Sequence, residues 1–257
     1  MTDEQLLALA VDLARQAGVA ICAIRDRGFA VQRKEDHSVV TEADHAAEAL
    51  ILAGLRASLP GCLVVAEEEV AGGALHAATA EFWLVDPLDG TREFSSGGKD
   101  FAVNIGLVRN GHPVLGAVGV PATGEVFSGI VGTGAWLHKD GARTPIEARM
   151  APAKGLTVVA SRHHGDQARL DAYLNGRTVA EVVNFGSSLK FCRVAQGEAD
   201  LYPRFGRTME WDTCAPQAVL EAAGGSVETL DGAPLRYGKP GWDNPHFVCW
   251  GRRGSDG

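Results

Sequence analysis

Positive charge is what this chain most lacks. Its 257 residues carry 24 Lys and Arg against 32 Asp and Glu, a formal net charge of -8. A surface of that sign repels nucleic acid and anionic membranes, which select basic patches, so polymer binding is excluded. Cysteine is scarce as well: Cys22, Cys62, Cys192, Cys214 and Cys249 are odd in number, scattered and without a Cys-x-x-Cys spacing. That pattern argues against a zinc site and fits reduced thiols in a cytoplasmic protein. The acidic start Met1-Thr2-Asp3-Glu4-Gln5 lacks the basic flank of a signal peptide, and no apolar run is expected to reach the length of a membrane span. Also missing are the Gly-x4-Gly-Lys-Ser/Thr phosphate loop, the Gly-x-Ser-x-Gly nucleophile elbow, internal repeats and any low-complexity linker. Gly129, Gly132 and Gly134 are read as hairpin glycines.

What is present suffices for a large core: 46% of residues are hydrophobic and 22% charged, the proportions of an ordinary globular protein. Thr2 and Gln5 form a capping box ahead of Leu6, Leu9, Leu13, Ala17 and Ala20, which predicts a helix to about Arg27. A strand over Phe29 to Gln32, a polar loop over Lys34 to Ser38 and a second helix from Thr41, with Ala46, Ala49, Leu50 and Ala53 as its apolar face, follow. Cys62 to Ala66 and Phe82 to Val85 read as buried strands, and residues 101–108, 114–120, 125–130 and 134–138 as an antiparallel meander. From about residue 150 the pattern alternates: strands at Leu156 to Ala160 and Val179 to Val183, helices at Asp166 to Leu174, Ser187 to Ala195 and Asp212 to Ala223, and a last strand at Phe247 to Trp250. The expected organisation is an α+β half, residues 1–149, and an α/β half, residues 150–257, in one compact unit.

Acid collects where these elements meet. In Asp86-Pro87-Leu88-Asp89-Gly90-Thr91 two carboxylates stand three apart at the predicted end of a buried strand, with Pro87 removing a backbone donor and Gly90 permitting a tight turn. Converging carboxylates repel unless a cation or a proton lies between them. Glu67-Glu68-Glu69 ends the preceding strand, and Asp212 opens a helix. Taken singly, these are a solvated helix start and N-caps; taken together, they are an oxygen-donor set for a hard cation such as magnesium. Two such ions would serve in-line displacement at phosphorus. The aspartyl-nucleophile phosphatases, with an Asp-x-Asp-Gly-Thr loop near the chain start, differ in spacing.

Three segments, Ala66-Glu67-Glu68, Trp83-Leu84-Val85-Asp86-Pro87-Leu88-Asp89-Gly90-Thr91-Arg92-Glu93-Phe94 and Glu210-Trp211-Asp212-Thr213-Cys214-Ala215, resemble the metal-site motifs of the inositol monophosphatase superfamily in order and separation. Gly186-Ser187-Ser188-Leu189-Lys190-Phe191-Cys192 and Leu201-Tyr202-Pro203-Arg204-Phe205-Gly206 resemble its 3′(2′),5′-bisphosphate nucleotidase branch of the bacterial CysQ type. The resemblance implies a layered αβαβα sandwich of the inositol monophosphatase and fructose-1,6-bisphosphatase type. It implies two magnesium ions and a weaker third, held by Glu67, Asp86, Asp89, Asp212 and the Leu88 carbonyl. Thr91 would orient the attacking water with Glu67. Asp44 would sit near the third ion, unless it is only the N3 residue of a capping box begun by Thr41. Gly90, Thr91 and Asp212 would also touch substrate, and His164 of the doublet His163-His164 would contact a nucleotide. Ser187, Lys190 and Arg204 would hold a second phosphate, although Lys190 and Arg204 taken singly read as solvated charges. Free N–H groups at Gly186-Ser187-Ser188, opening a helix, would help. Ala66 for the usual Gly or Ser, and Arg92 for the usual Lys, remove no ligand. The implied activity is hydrolysis of adenosine 3′,5′-bisphosphate, a small nucleotide, in the cytoplasm or at the inner face of its membrane. Alternatives are an inositol or sugar phosphatase of the same superfamily and a nucleotide-binding regulator without turnover.

Overall fold

The helix α1 (Asp3–Arg27) begins as the capping box demands, with the Gln5 amide donating to Thr2 Oγ1 at 3.3 Å and the Thr2 amide to Gln5 Oε1 at 2.9 Å. Gly28, in the left-handed region at φ 84°, ends it. The computed structural model describes residues 1–33, 39–161 and 167–253. By length and composition α1 is apolar enough to cross a membrane, contrary to the expectation of no such run. Here its apolar stripe is core: Leu6, Ala10, Leu13, Ala17, Ile21 and Ile24 are buried, with Leu9 and Ala20 at the margin.

A short antiparallel pair, β1 (Val31–Arg33) and β2 (Val39–Thr41), precedes α2 (Glu42–Ser58). The strand begins two residues later than the predicted Phe29, and the predicted loop Lys34 to Ser38 lies outside the described residues. The apolar face of α2 is not the one expected. Ala49 and Ala53 are exposed, and Ala43, Ala47, Ile51 and Leu55 are buried. Large aliphatic side chains decide the phase because burying each is worth roughly 1.5–3 kcal/mol, while alanine gains little on either face. That rotation also turns Asp44 and Glu48 inward.

The first sheet has seven strands in the order β3 (Val64–Ala66), β4 (Glu81–Asp89), β5 (Ala102–Arg109), β6 (His112–Val120), β7 (Glu125–Ile130), β8 (Gly134–Lys139) and β9 (Ala142–Ile146). Strands β3 and β4 are parallel and the rest form the expected meander, lengthened by β9. Short helices α3 (Glu67–Ala71) and α4 (Thr91–Ser95) follow β3 and β4 directly. The second sheet runs β11 (Val179–Phe185), β10 (Leu156–Ser161), β12 (Leu201–Arg204), β14 (Phe247–Trp250) and β13 (Ser226–Thr229), with β12 and β13 not foreseen as strands. The remaining helices are α5 (Gln167–Leu174), α6 (Leu189–Ala195) and α7 (Glu210–Ala222). Helices α1 and α2 cover one face of the first sheet, α6 and α7 lie between the sheets, and α5 covers the outer face of the second. This is the αβαβα sandwich.

What lets α7 lie so close is a row of glycines. Gly106, Gly116 and Gly129 are in register across β5, β6 and β7. A methyl group at Gly106 would come within 2.7 Å of the Ala215 amide nitrogen, one at Gly116 within 2.6 Å of the Ala215 Cα, and one at Gly129 within 2.7 Å of the Ala222 Cβ. Gly129 is therefore a packing glycine, not a hairpin glycine. Gly116→Ala should force α7 outward and cost about 1–3 kcal/mol, lowering the urea midpoint. A midpoint equal to wild type would mean the helix does not rest on this row.

Candidate active site

Strand β4 does not stop at Pro87 as predicted but continues to Asp89 through a bulge. Asp86 faces Asn104 and Asp89 faces Ala102, so three steps on β4 match two on β5. Residues three apart on a regular strand point to opposite sides. The extra residue restores the parity, and Pro87 occupies the irregularity, where a missing N–H breaks no ladder bond. Asp86 and Asp89 thus line one pocket of about 280 Å³ together with Glu67, Asp212, the Leu88 backbone and Thr91. Glu67 arrives as the first residue of α3, and Asp212 lies in the first turn of α7.

Each of the three aspartates is held by a backbone donor. Asp86 Oδ1 accepts from the Leu88 amide at 3.0 Å, Asp212 Oδ2 from Met209 at 2.9 Å, and Asp89 Oδ2 from Ser188. Burial, and then the charges of Glu67, Asp89 and Asp212, push the Asp86 carboxyl well above its ordinary range; burial followed by Asp89 and Glu67 does the same to Asp212. Among the described residues no three His, Cys, Asp or Glu side chains close on one point as a finished metal cage. The donor set nonetheless fits a hard divalent cation, because the acidic wall offers only oxygen donors and concentrates the negative charge that such an ion neutralises.

Behind this cluster, the Thr91 hydroxyl lies 3.0 Å from both Asp44 Oδ1 and the Leu88 carbonyl. Asp44 Oδ2 accepts from the Thr41 amide at 2.8 Å and the Thr41 hydroxyl at 2.7 Å, so Asp44 is a capping residue of α2 and a partner of Thr91 at once. Burial raises its carboxyl, with the Thr41 and Thr91 hydrogen bonds opposing.

The opposite wall is cationic. Arg204 donates from Nη1 to Ser161 Oγ at 2.6 Å and from Nη2 to the Arg207 carbonyl at 3.2 Å, and its buried Nε has no partner among the described residues. Lys190 is a buried cation, not a solvated one: Nζ donates to the carbonyls of Ser187 at 2.6 Å and Phe185 at 3.3 Å and lies 5.4 Å from the centre of the Tyr202 ring. Burial lowers its pKa to about 8, against the pull of Asp89. Ser187 sits at φ 47°, and Gly90 at φ 91° where a methyl would meet the Asp100 carbonyl at 2.9 Å.

One expectation fails here. Two of the three N–H groups at Gly186-Ser187-Ser188 are not free for an anion, because Gly186 donates to Asp100 Oδ2 at 3.1 Å and Ser188 to Asp89. Leu189 donates to Ser187 Oγ at 3.3 Å, and α6 starts only there. Residues unflagged by sequence reasoning, Asp100 and Ser161, prove to be partners of the specificity segment. Only a tertiary contact reveals them, since each lies far from its partner in the chain. His164 lies outside the described residues.

An acid-lined pocket with a cationic far wall, at the boundary of two sheets in an αβαβα sandwich, has its counterpart among known proteins. The sequence matches the inositol monophosphatase family over residues 2–247. The chain belongs to this family. Within the inositol monophosphatase family, the 3′(2′),5′-bisphosphate nucleotidase CysQ of Escherichia coli K12 is 44% identical over 227 residues, covering 88% of this chain and 91% of the relative. The enzyme of that name from Aggregatibacter actinomycetemcomitans is 33% identical over 246 residues, covering 95% and 91%. CysQ from Bacteroides thetaiotaomicron superposes with a TM-score of 0.81 at 33% identity, covering 98% and 99% of the two chains. A Thermotoga maritima IMPase has a TM-score of 0.80 at 24% identity, which speaks for the fold alone. Members of the inositol monophosphatase family are metal-dependent phosphatases, and this chain is a phosphoric monoester hydrolase.

The crowding of acid leads to a two-sided prediction. Asp86→Asn keeps the acceptor for the Leu88 amide but removes a buried charge, so the metal-free variant should melt above the metal-free wild type. Its further gain on adding magnesium should shrink. Thermal unfolding with and without magnesium checks both, and a metal-free variant melting below wild type would contradict the repulsion argument.

Proposed function

We propose that the chain is a magnesium-dependent 3′(2′),5′-bisphosphate nucleotidase of the cytoplasm. It removes the 3′-phosphate of adenosine 3′,5′-bisphosphate to leave AMP and phosphate, and accepts the corresponding phosphosulfate. The observation that carries the substrate class is the bipolar pocket: acid at one wall for cations and the scissile phosphate, Arg204 and Lys190 at the other for a second phosphate. A guanidinium presents paired donors that suit a phosphate, and Arg204 Nε is a donor still to be satisfied. A monophosphate of a neutral polyol would have little use for that wall.

In this reading Glu67, Asp86, Asp89, Asp212 and the Leu88 carbonyl hold two ions, with a weaker third near Asp44. Bound magnesium would supply charge neutralisation at the phosphoryl and leaving oxygens. The chain's own residues govern the proton. The Thr91 hydroxyl points its hydrogen at Asp44 or the Leu88 carbonyl, so a lone pair of Thr91 Oγ1 is left to accept from the attacking water, on the side where Glu67 lines the pocket. As water attacks phosphorus, its proton passes to Thr91 Oγ1 while the hydroxyl proton passes to Asp44 Oδ1, the carboxylate 3.0 Å away. Gly90 lets the backbone approach the substrate closely, and Ser187 lies on the nucleotide side, where the family resemblance assigns His164 as well.

Phosphate release in magnesium from adenosine 3′,5′-bisphosphate, inositol 1-phosphate and fructose 1,6-bisphosphate tests the assignment. The bisphosphate nucleotide should be preferred, and a preference for inositol phosphate would overturn the branch. Arg204→Ala should cost kcat/KM for the bisphosphate about 10–100-fold, about 1.5–3 kcal/mol for a charged hydrogen-bonding group, and leave a simple monophosphate nearly unaffected. Equal losses on both would remove Arg204 from second-phosphate recognition.

Lys190 brings a pH dependence. Its pKa in the free protein is about 8, so the ammonium is charged below that value and neutral above it. An anion that binds the charged form loses affinity as pH rises through 8, and KM for the bisphosphate should climb between pH 7 and 9. The Lys190→Met profile should be flat over that window; an identical climb in the variant would assign the effect elsewhere.

A further inference from the structure

Asp212 is held through a structure that the chemistry does not itself use: the segment 235–244, which crosses the start of α7. Trp242 in this segment has φ 64°, the left-handed region that a bulky side chain enters only under constraint. Its ring packs edge-on against Phe82, and its carbonyl accepts from the Glu210 amide at 2.8 Å. Glu210, fully buried at the first position of α7, accepts from the amides of Gly238 at 2.7 Å and Lys239 at 2.9 Å and from Lys239 Nζ at 2.5 Å. Lys239 Nζ reaches on to the Arg236 carbonyl and to Asn244 Oδ1, so all three of its protons have acceptors.

Asn244 closes the circuit. Its Nδ2 donates to the Met209 carbonyl at 2.7 Å and lies 3.0 Å from Thr213 Oγ1, and its own amide donates to the Thr208 carbonyl at 2.9 Å. Met209 is the residue whose amide holds Asp212 Oδ2. The path from this ion pair to the carboxylate is therefore short: Glu210 to Lys239, to Asn244, to Met209, to Asp212.

From this geometry we infer that Glu210, Lys239 and Asn244 are positioning residues that set the Asp212 carboxylate for a divalent cation. The inference rests on reading Asp212 as a metal-holding residue. A fully exposed ion pair would have little effect on anything, but a buried Glu210 paired with a half-buried Lys239 and tied by further hydrogen bonds to the turn carrying a ligand determines where that ligand stands.

The test separates folding from metal binding. Lys239→Met alone leaves the fully buried Glu210 without its cation and is expected to destabilise the fold, whereas Glu210→Gln leaves Lys239, whose side chain is 30% exposed, within reach of solvent and is expected to cost less. The double variant Glu210→Gln/Lys239→Met removes both charges and should recover much of the stability without restoring the link to Asn244. Asn244→Ala breaks the same link at its other end. In calorimetric titration of the folded proteins with magnesium, the double variant and Asn244→Ala should each bind about 10-fold or more weakly than wild type. Wild-type magnesium affinity in both, whatever their melting temperatures, would overturn the positioning role. Asp212→Asn run in parallel guards the premise: unchanged magnesium affinity there would overturn the reading of Asp212 itself, and the inference with it.

Discussion

Four carboxylates gathered in one pocket repel one another, and the surrounding structure is arranged to hold them there regardless. Burial first, and then their neighbours' charges, push both Asp86 and Asp212 well above ordinary carboxyl titration. Side-chain rotation could relieve the repulsion, since each carboxylate might swing toward water. Instead Asp86, Asp89 and Asp212 are each tethered to a main-chain N–H, from Leu88, Ser188 and Met209. Main-chain donors on packed elements cannot follow a retreating side chain. The repulsion is thus stored in the metal-free protein and is available to favour a cation.

Bringing the donors together takes contributions from distant parts of the chain. The bulge at Pro87 supplies the parity that sets Asp86 and Asp89 on one side of β4, and the glycine row supplies the clearance that lets α7 present Asp212 beside them. Helix α2 adds Asp44 from a third direction, because the face buried by Ile51 and Leu55 carries Asp44 inward too. Packing here does more than stabilise. It fixes distances that flexible side chains could not hold against like charge, which is why hydrophobic contacts far from the pocket bear on its chemistry.

Much of this was legible in the sequence, and the failures share a cause. The capping box of α1 and the meander are local patterns that the structure reproduces, and the three acidic segments meet in one pocket. The face of α2 was misread because alanines are weak evidence of phase. Pro87 was taken as a strand end because a bulge is visible only against a partner strand. Gly129 was assigned to a hairpin because its true neighbour, Ala222, is nearly a hundred residues away. Two N–H groups before α6 looked free because their acceptors, Asp100 and Asp89, are equally remote. Lys190 taken singly looked like a solvated charge, whereas it is buried and donates to the carbonyls of its own loop. In each case residue type was right and partner was wrong, since partners are tertiary facts.

Asp89 shows why the two walls of the pocket cannot be treated as separable modules. One side of it belongs to the acidic cluster; on the other, Oδ2 accepts from Ser188, whose hydroxyl donates to the buried Asn104 at 2.8 Å. Ser188 lies between Ser187 and Lys190, in the segment that carries the cationic wall. The same hydrogen bond therefore orients a carboxylate and seats the segment bearing Lys190. Lys190 in turn ties down the carbonyls of Phe185 and Ser187 and feels the charge of Asp89. A change at either wall must propagate through this bond to the other. The acidic wall and the cationic wall are consequently parts of one hydrogen-bonded framework, joined by a bond between residues 99 positions apart in the chain.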